Sequence, residues 1–235
     1  MKTNSRFLFA AALGLALVFT FSCSSDKDDG NSSGNPGTGG GDKGNNIANY
    51  KTKQIGTQVW MAENLSYNVS GSVCYDNDPA NCTKYGRLYD WATAMNLDIS
   101  CNYNSCSSQI TEKHRGICPA DWHLPSDAEW DILVNYAGNS STAGGKLKAT
   151  SGWNNDELGL SGNGNDDFGF AALPGGRGFP NGDFRSVGYA GYWWSTSENG
   201  ADYVYLRFIS YDYEGVHRDG NDGKYRLRSV RCVKN

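Results

Sequence analysis

The sequence predicts an α+β domain in which two helices pack on a small antiparallel sheet, with long Gly- and Asn-rich loops and three disulfides. Three observations predict it. Six of the seven cysteines lie downstream of an apolar leader, an even number in an exported chain. Helical spacing of apolar residues occurs in two segments before residue 140, whereas short β-like segments fill the chain after residue 168. Glycine supplies 30 of 235 residues, aromatics 13 % and charged residues only 20 %, which suits a loop-rich, β-leaning domain and argues against coiled coils and helical bundles.

The chain opens with Lys2 and Arg6, and residues 7–21 then run apolar apart from Gly14 and Thr20. About 15 residues fall short of the ~20 that span a bilayer, so residues 1–22 read as a signal peptide. The run closes on Thr20-Phe21-Ser22-Cys23, which resembles a bacterial lipobox. That resemblance implies acylation of the Cys23 thiol, cleavage before it and acylation of the new amino terminus; several acyl chains at one residue hold a membrane firmly. The alternative is an ordinary signal peptide that leaves Cys23 as a lone thiol. Residues 24–46 contain no aromatic or aliphatic side chain and cannot bury enough surface to fold, so residues 23–46 read as an anchored tether with a span of roughly 25 Å. Its start, Asp26-Lys27-Asp28-Asp29, is similar to the charged signal that sends some Bacteroidetes-type lipoproteins to the outer surface; a solvated spacer is the plainer reading. The implied address is the bacterial outer membrane, on its surface or periplasmic face. With Lys2 and Arg6 removed, 19 basic residues face 25 acidic ones, a net of −6. Nucleic acid, which selects clustered positive charge, is therefore disfavoured as a partner.

The folded domain is expected over residues 47–235. Six cysteines allow 15 connectivities. Local spacing suggests Cys74–Cys82 and Cys101–Cys106, each closing a small polar loop, which leaves Cys118 for Cys232. Lys53 to Trp60 reads as two strands about a Gly56-Thr57 turn. Leu88, Trp91, Ala92 and Met95 share a helical face, placing a helix over 87–95. Ser126 and Glu129 form a capping box for a second helix whose inner face is Trp130, Leu133, Val134 and Ala137, ended by Gly138. A weaker helix is expected near 143–148. From Trp153 to Asp167 a long ordered loop is expected. Strands follow at 168–173, 192–196, 203–210, 213–218 and 225–233, with a turn at 220–223. In the third of these, Val204, Leu206 and Phe208 alternate with Tyr203, Tyr205 and Arg207, the pattern of a half-buried strand. Strands, two helices, loops and a closing meander, without βαβ alternation, define α+β.

Read together, IGTQVWMAENL (55–65), YGRLYDWATAM (85–95), CPADWHLPSDAEWDIL (118–133), FGFAALPGGRG (168–178), YWWSTSE (192–198) and SVRCV (229–233) resemble the Fibrobacter succinogenes major paralogous domain family over about residues 47–235. Through WHLPSDAEW and SVRCV the chain is similar in turn to the C-type-lectin-like and formylglycine-generating (sulfatase-modifying) folds. The resemblance implies a domain whose two ends meet in one sheet, with long loops above it. It implies no assigned activity.

Three classes of chemistry follow for weighing. An enzyme of the formylglycine-generating type needs a reactive cysteine pair after the helix motif, and only Cys232 follows Cys118. No GxSxG, HExxH or phosphate loop occurs, and Asp166-Asp167 lacks an identifiable third group, so no catalytic residue is assigned. No cofactor is assigned and no zinc spacing is present. The weak calcium-ligand candidates are Asn163, Asn165 and Asp167, with Asp219, Asn221 and Asp222 behind them; Asx-rich turns form without metal too. The expected role is non-enzymatic binding of an extracellular polysaccharide or surface protein, with a purely structural surface lipoprotein as the alternative. Rings in loop or hairpin contexts (Trp153, Tyr189, Tyr192, Trp193, Tyr211, Tyr213 and His217) could stack on sugars. Trp193, Tyr211, Tyr213 and His217 are the chosen ligand-binding residues, because Trp193 should face away from its buried neighbour Trp194. Trp60, Trp91, Trp122, Trp130 and Trp194 are assigned to the core. Arg177, Arg185, Arg207, Arg226 and Arg228 are read as scattered structural or hydrogen-bonding arginines, not as an anion site.

Overall fold

The computed structural model describes residues 43–235. The leader, Cys23 and the tether to residue 42 lie outside the described residues. No helix among those described is long and apolar enough to cross a membrane. The elements in chain order are β1 (Thr52–Ile55), β2 (Gln58–Met61), α1 (Pro79–Tyr85), α2 (Trp91–Met95), β3 (Trp122–His123), α3 (Asp127–Ala137), α4 (Ala143–Leu147), β4 (Gly175–Gly178), β5 (Phe184–Val187), β6 (Ala190–Glu198), β7 (Tyr203–Ser210), β8 (His217–Gly223) and β9 (Val233–Lys234), with short 3₁₀ turns between.

They build two sheets. The first has the order β1-β2-β9-β3, with Trp60 and His123 both opposite Val233, so the two ends of the domain do meet in one sheet. The second has the order β5-β4-β6-β7-β8 and is antiparallel except where β4 runs parallel to β6. Disulfides join Cys74 to Cys82, Cys101 to Cys106 and Cys118 to Cys232, the pairing that local spacing suggests. The last of these stitches the β9 end to the segment before β3.

The capping box of α3 is present: the Ser126 hydroxyl accepts from Glu129 N–H, and the Glu129 carboxylate accepts from Ser126 N–H. Its inner face buries Trp130, Leu133, Val134 and Ala137. Strand β6 divides two cores. Trp193 points into one with Trp60, Trp130 and Phe170, while Trp194 points into the other with Trp91, Tyr89 and the Cys118–Cys232 bridge. All five tryptophans assigned to the core are buried.

Several elements differ from expectation, each for a local reason. The helix expected over 87–95 starts only at Trp91, because Asp90 caps it and Leu88 is drawn into a bridge with Val73. An unforeseen helix occupies Pro79–Tyr85; Asp78 caps it and Pro79 opens it, a start signal that is present in the sequence. Residues 168–173 form no strand beyond the single Lys148–Ala172 bridge, since Gly169 and Ala171 adopt positive φ. Strands β4 and β5 go unseen because GGRG carries no β signal of its own. The Gly220–Gly223 turn is instead part of β8, where pairing with β7 overrides the turn-forming composition. The strand expected over 225–233 is reduced to isolated bridges and the two residues of β9. Residues just before 47 also contact the domain: Gly44 O accepts from the Tyr50 hydroxyl, Lys43 O from Asn49 Nδ2, and Lys43 pairs with Glu63.

Candidate functional site

The second sheet aligns one row of side chains across all five strands. Arg185 of β5 sits opposite Arg177 of β4. The β4/β6 pairing sets Gly176 beside Gly191, which brings Arg177 alongside Tyr192 one residue on. Tyr192 faces Phe208 of β7, and Phe208 faces His217 of β8. Because side chains alternate along strands, this row lies on the face opposite Trp193 and Arg207, which point towards α3. Arg207 there bonds Asp127 at 2.5 Å and Asp131 at 2.6 Å. At ~4.8 Å per strand the row is roughly 19 Å long.

The row is a stack. Phe208 and His217 have centroids 4.2 Å apart and planes 10° apart. Rings lying side by side could not approach so closely, so these two share faces and turn their edges outward. Tyr192 stacks on Phe208 at 5.4 Å, Tyr213 leans on His217 at 4.7 Å, and the Arg177 guanidinium lies 5.0 Å from the Tyr192 ring. Tyr192, Phe208 and His217 are half-buried, and Tyr213 is 38 % exposed. Burial in the stack pushes the His217 imidazole below the usual histidine range, with Asp212 opposing, so the ring is neutral at neutral pH.

Two of the four chosen residues, Tyr213 and His217, thus come together. Tyr211 does not join them; it packs edge-on against Tyr189 at 5.1 Å beside the row. Trp193 is 1 % exposed and corrects the expectation of an exposed platform. It does point away from Trp194, as alternation requires. Both faces of β6 are covered at that level, however, and Trp193 donates Nε1–H to Asn64 Oδ1 at 2.8 Å inside the α3-side core. Trp153 is likewise buried, donating to Ala172 O. Alternation along β7 puts Phe208 with Val204 and Leu206, and only the strand register brings it between Tyr192 and His217.

A groove of about 600 Å³ at the N-terminal end of α3 is lined by Ser107, Ile110, Thr111, Glu129, Ser197 and Glu198, among others. Its carboxylates are already engaged. Glu129 accepts from His123 and Ser126, and Glu198 accepts from Lys224, Cys106 N–H and Ser105. Burial raises both, but these donors prevail and hold both below the usual carboxylate range. Asp166 behaves oppositely: burial pushes it up although it accepts from Ala171 N–H. Of the calcium candidates, Asn163 Oδ1 accepts from Trp153 N–H, while Asn165 and Asp167 are exposed. Asp222 is buried between Arg226 and Arg228, and Asp219 accepts from Asn221 N–H. Among the described residues no group of three or more His, Cys, Asp or Glu is placed to hold a metal ion.

Fold and face together define a disulfide-stapled α+β domain with a stacked, half-buried aromatic row on its second sheet, beside the core that holds Trp194. The chain belongs to the Fibrobacter succinogenes major domain family, whose model matches residues 54–234. No curated protein and no solved structure matches it.

Proposed function

We infer that this is a non-enzymatic binding domain of the bacterial cell envelope, held at the outer membrane by an acylated Cys23, and that the half-buried ring row of its second sheet docks an extended extracellular polysaccharide. The aligned row Arg177–Tyr192–Phe208–His217, closed by Tyr213, carries this reading. Amphipathic rings left half-covered across a whole sheet offer a long contact with polar tips. The sequence likeness to C-type-lectin-like domains fits a scaffold that presents a surface. The non-enzymatic reading draws support from the cysteines: the six described are consumed in three bonds, which leaves none of them for thiol redox chemistry.

The test uses the full chain in detergent. Retention on insoluble polysaccharides or a glycan array is expected, with a several-fold loss on Tyr213→Ala. Binding to no glycan, with and without calcium, would refute the polysaccharide role. Intact mass spectrometry should show a lipid-modified Cys23 as first residue, and Cys23→Ala should move the protein from the membrane to the soluble fraction.

A further inference from the structure

Three arginines converge at the β5 end of the row. Arg177, Arg185 and Arg226 have guanidinium carbons 5.5, 5.3 and 5.8 Å from the centre of one ring, Phe179. Arg177 and Arg185 are moreover direct cross-strand partners, an arrangement in which like charges destabilise a sheet. The acids nearby do not offset this. Asp222 is shared by Arg226 and the buried Arg228, and Asp183 lies 3.7 Å from Arg185 with both side chains more than half exposed. Four arginines therefore meet two aspartates, on a chain whose formal net charge is −4.

Arg177 is the decisive residue. Among the described residues its guanidinium has ring contacts but no hydrogen-bond acceptor, and its Nε is buried without a partner. Arg226 Nε is buried and unpartnered as well. Buried donors of this kind are rare in native proteins, and no acceptor among the described residues neutralises the Arg177 guanidinium. Burial above all brings the Arg228 guanidinium down to about 10; Asp222 opposes it, and Arg177 and Arg226 add smaller repulsions. The edges of stacked rings carry partial positive charge, so the neighbouring stack also favours electron-rich groups over sugar C–H faces.

We propose that Arg177, Arg185 and Arg226 form an anion subsite for the carboxylate or sulfate ester of an acidic sugar residue, making acidic polysaccharide the ligand class of this face. The guanidinium fork matches both groups through paired N–H donors. This rests on the polysaccharide reading above, because the subsite continues the ring row and an extended chain lying along it carries its acidic substituent there. Of the arginines read as scattered, Arg207 and Arg228 are the structural ones, each ion-paired and buried.

Isothermal titration of the detergent-solubilised full chain with length-matched oligogalacturonate, sulfated dextran and uncharged cello-oligosaccharide tests this. One or both acidic ligands should bind at least about tenfold more tightly than the neutral one at low salt, and Arg177→Gln/Arg185→Gln should raise that Kd about tenfold, well beyond any change in the neutral ligand's Kd. The two acidic arms tell carboxylate from sulfate. Arg185→Gln alone alters a side chain that is 64 % exposed and serves as the folding control; its melting temperature should not fall. Neutral chains bound as well as acidic ones, lost on Tyr213→Ala but not on the arginine changes, would overturn the subsite and leave the ring reading standing. Acidic binding unchanged in Arg177→Gln/Arg185→Gln would also overturn it. No binding of any glycan would remove both.

Discussion

Breaking the Cys118–Cys232 bridge should cost far more stability than breaking Cys101–Cys106, although each bond is a single S–S link between buried sulfurs. The sequence separations are 114 and 5 residues. In the chain-entropy account these loops are worth ~4.8 and ~2.1 kcal/mol at 25 °C. A domain of roughly 190 residues unfolds with an entropy near 0.4 kcal/mol/K, so Cys118→Ala/Cys232→Ala should lower Tm by ~12 °C and Cys101→Ala/Cys106→Ala by ~5 °C. All four sulfurs are at least 94 % buried, so the cavity terms are similar and largely cancel in the comparison. Differential scanning calorimetry of the full chain, with intact masses confirming that the other two bonds remain closed, measures both. Equal losses would refute the loop-closure reasoning. They would mean that the unfolded chain holds the β9 end near residue 118 without the bond, or that the bridge is strained in the fold.

His217→Phe keeps the stack and removes a titration. The folded histidine lies below its unfolded value, so its contribution is complete above about pH 6.5 and is lost as pH falls through the window beneath. The variant should therefore show a flatter Tm between pH 6.5 and 5 than the parent. Asp127, Glu129 and Glu198 are held low by their donors, so their contribution persists above about pH 4 and is lost below it in both proteins. Lys224→Met leaves the buried Glu198 without its 2.6 Å cation and should cost about 3–5 kcal/mol in urea unfolding, with part regained in Lys224→Met/Glu198→Gln. Gly144→Ala would place a methyl 2.1 Å from Gly215 O, so a loss of about 1–3 kcal/mol is expected in the same assay.

What could be read without coordinates was whatever is local. The capping box of α3, the β1–β2 hairpin, the extent of β7 and the two short-range disulfides all follow from neighbours a few residues apart, and Cys118–Cys232 follows from them by elimination. The non-local part was not legible. Trp193 and Trp194 point opposite ways, as alternation says, but only the whole fold shows that both sides are covered. Gly175–Gly178 becomes a strand because β5 and β6 flank it. The row Arg177–Tyr192–Phe208–His217 draws one residue from each of four strands, and no spacing along the chain links them. The arginine cluster is hidden for the same reason: its members look scattered until β4 and β5 pair.

Backbone-to-backbone packing around α4 has a consequence for recognition. Gly144 lies against the Gly215 carbonyl, and Gly164 against that of Gly145, closer than any side chain would allow. The turn that carries Tyr213 and leads into His217 is thus clamped by main chain, not cushioned by flexible groups. A guest arriving there meets a mould already set. Little conformational freedom remains to be surrendered on contact, so selectivity must come from the shape and charge of the visitor and not from the host adjusting to it.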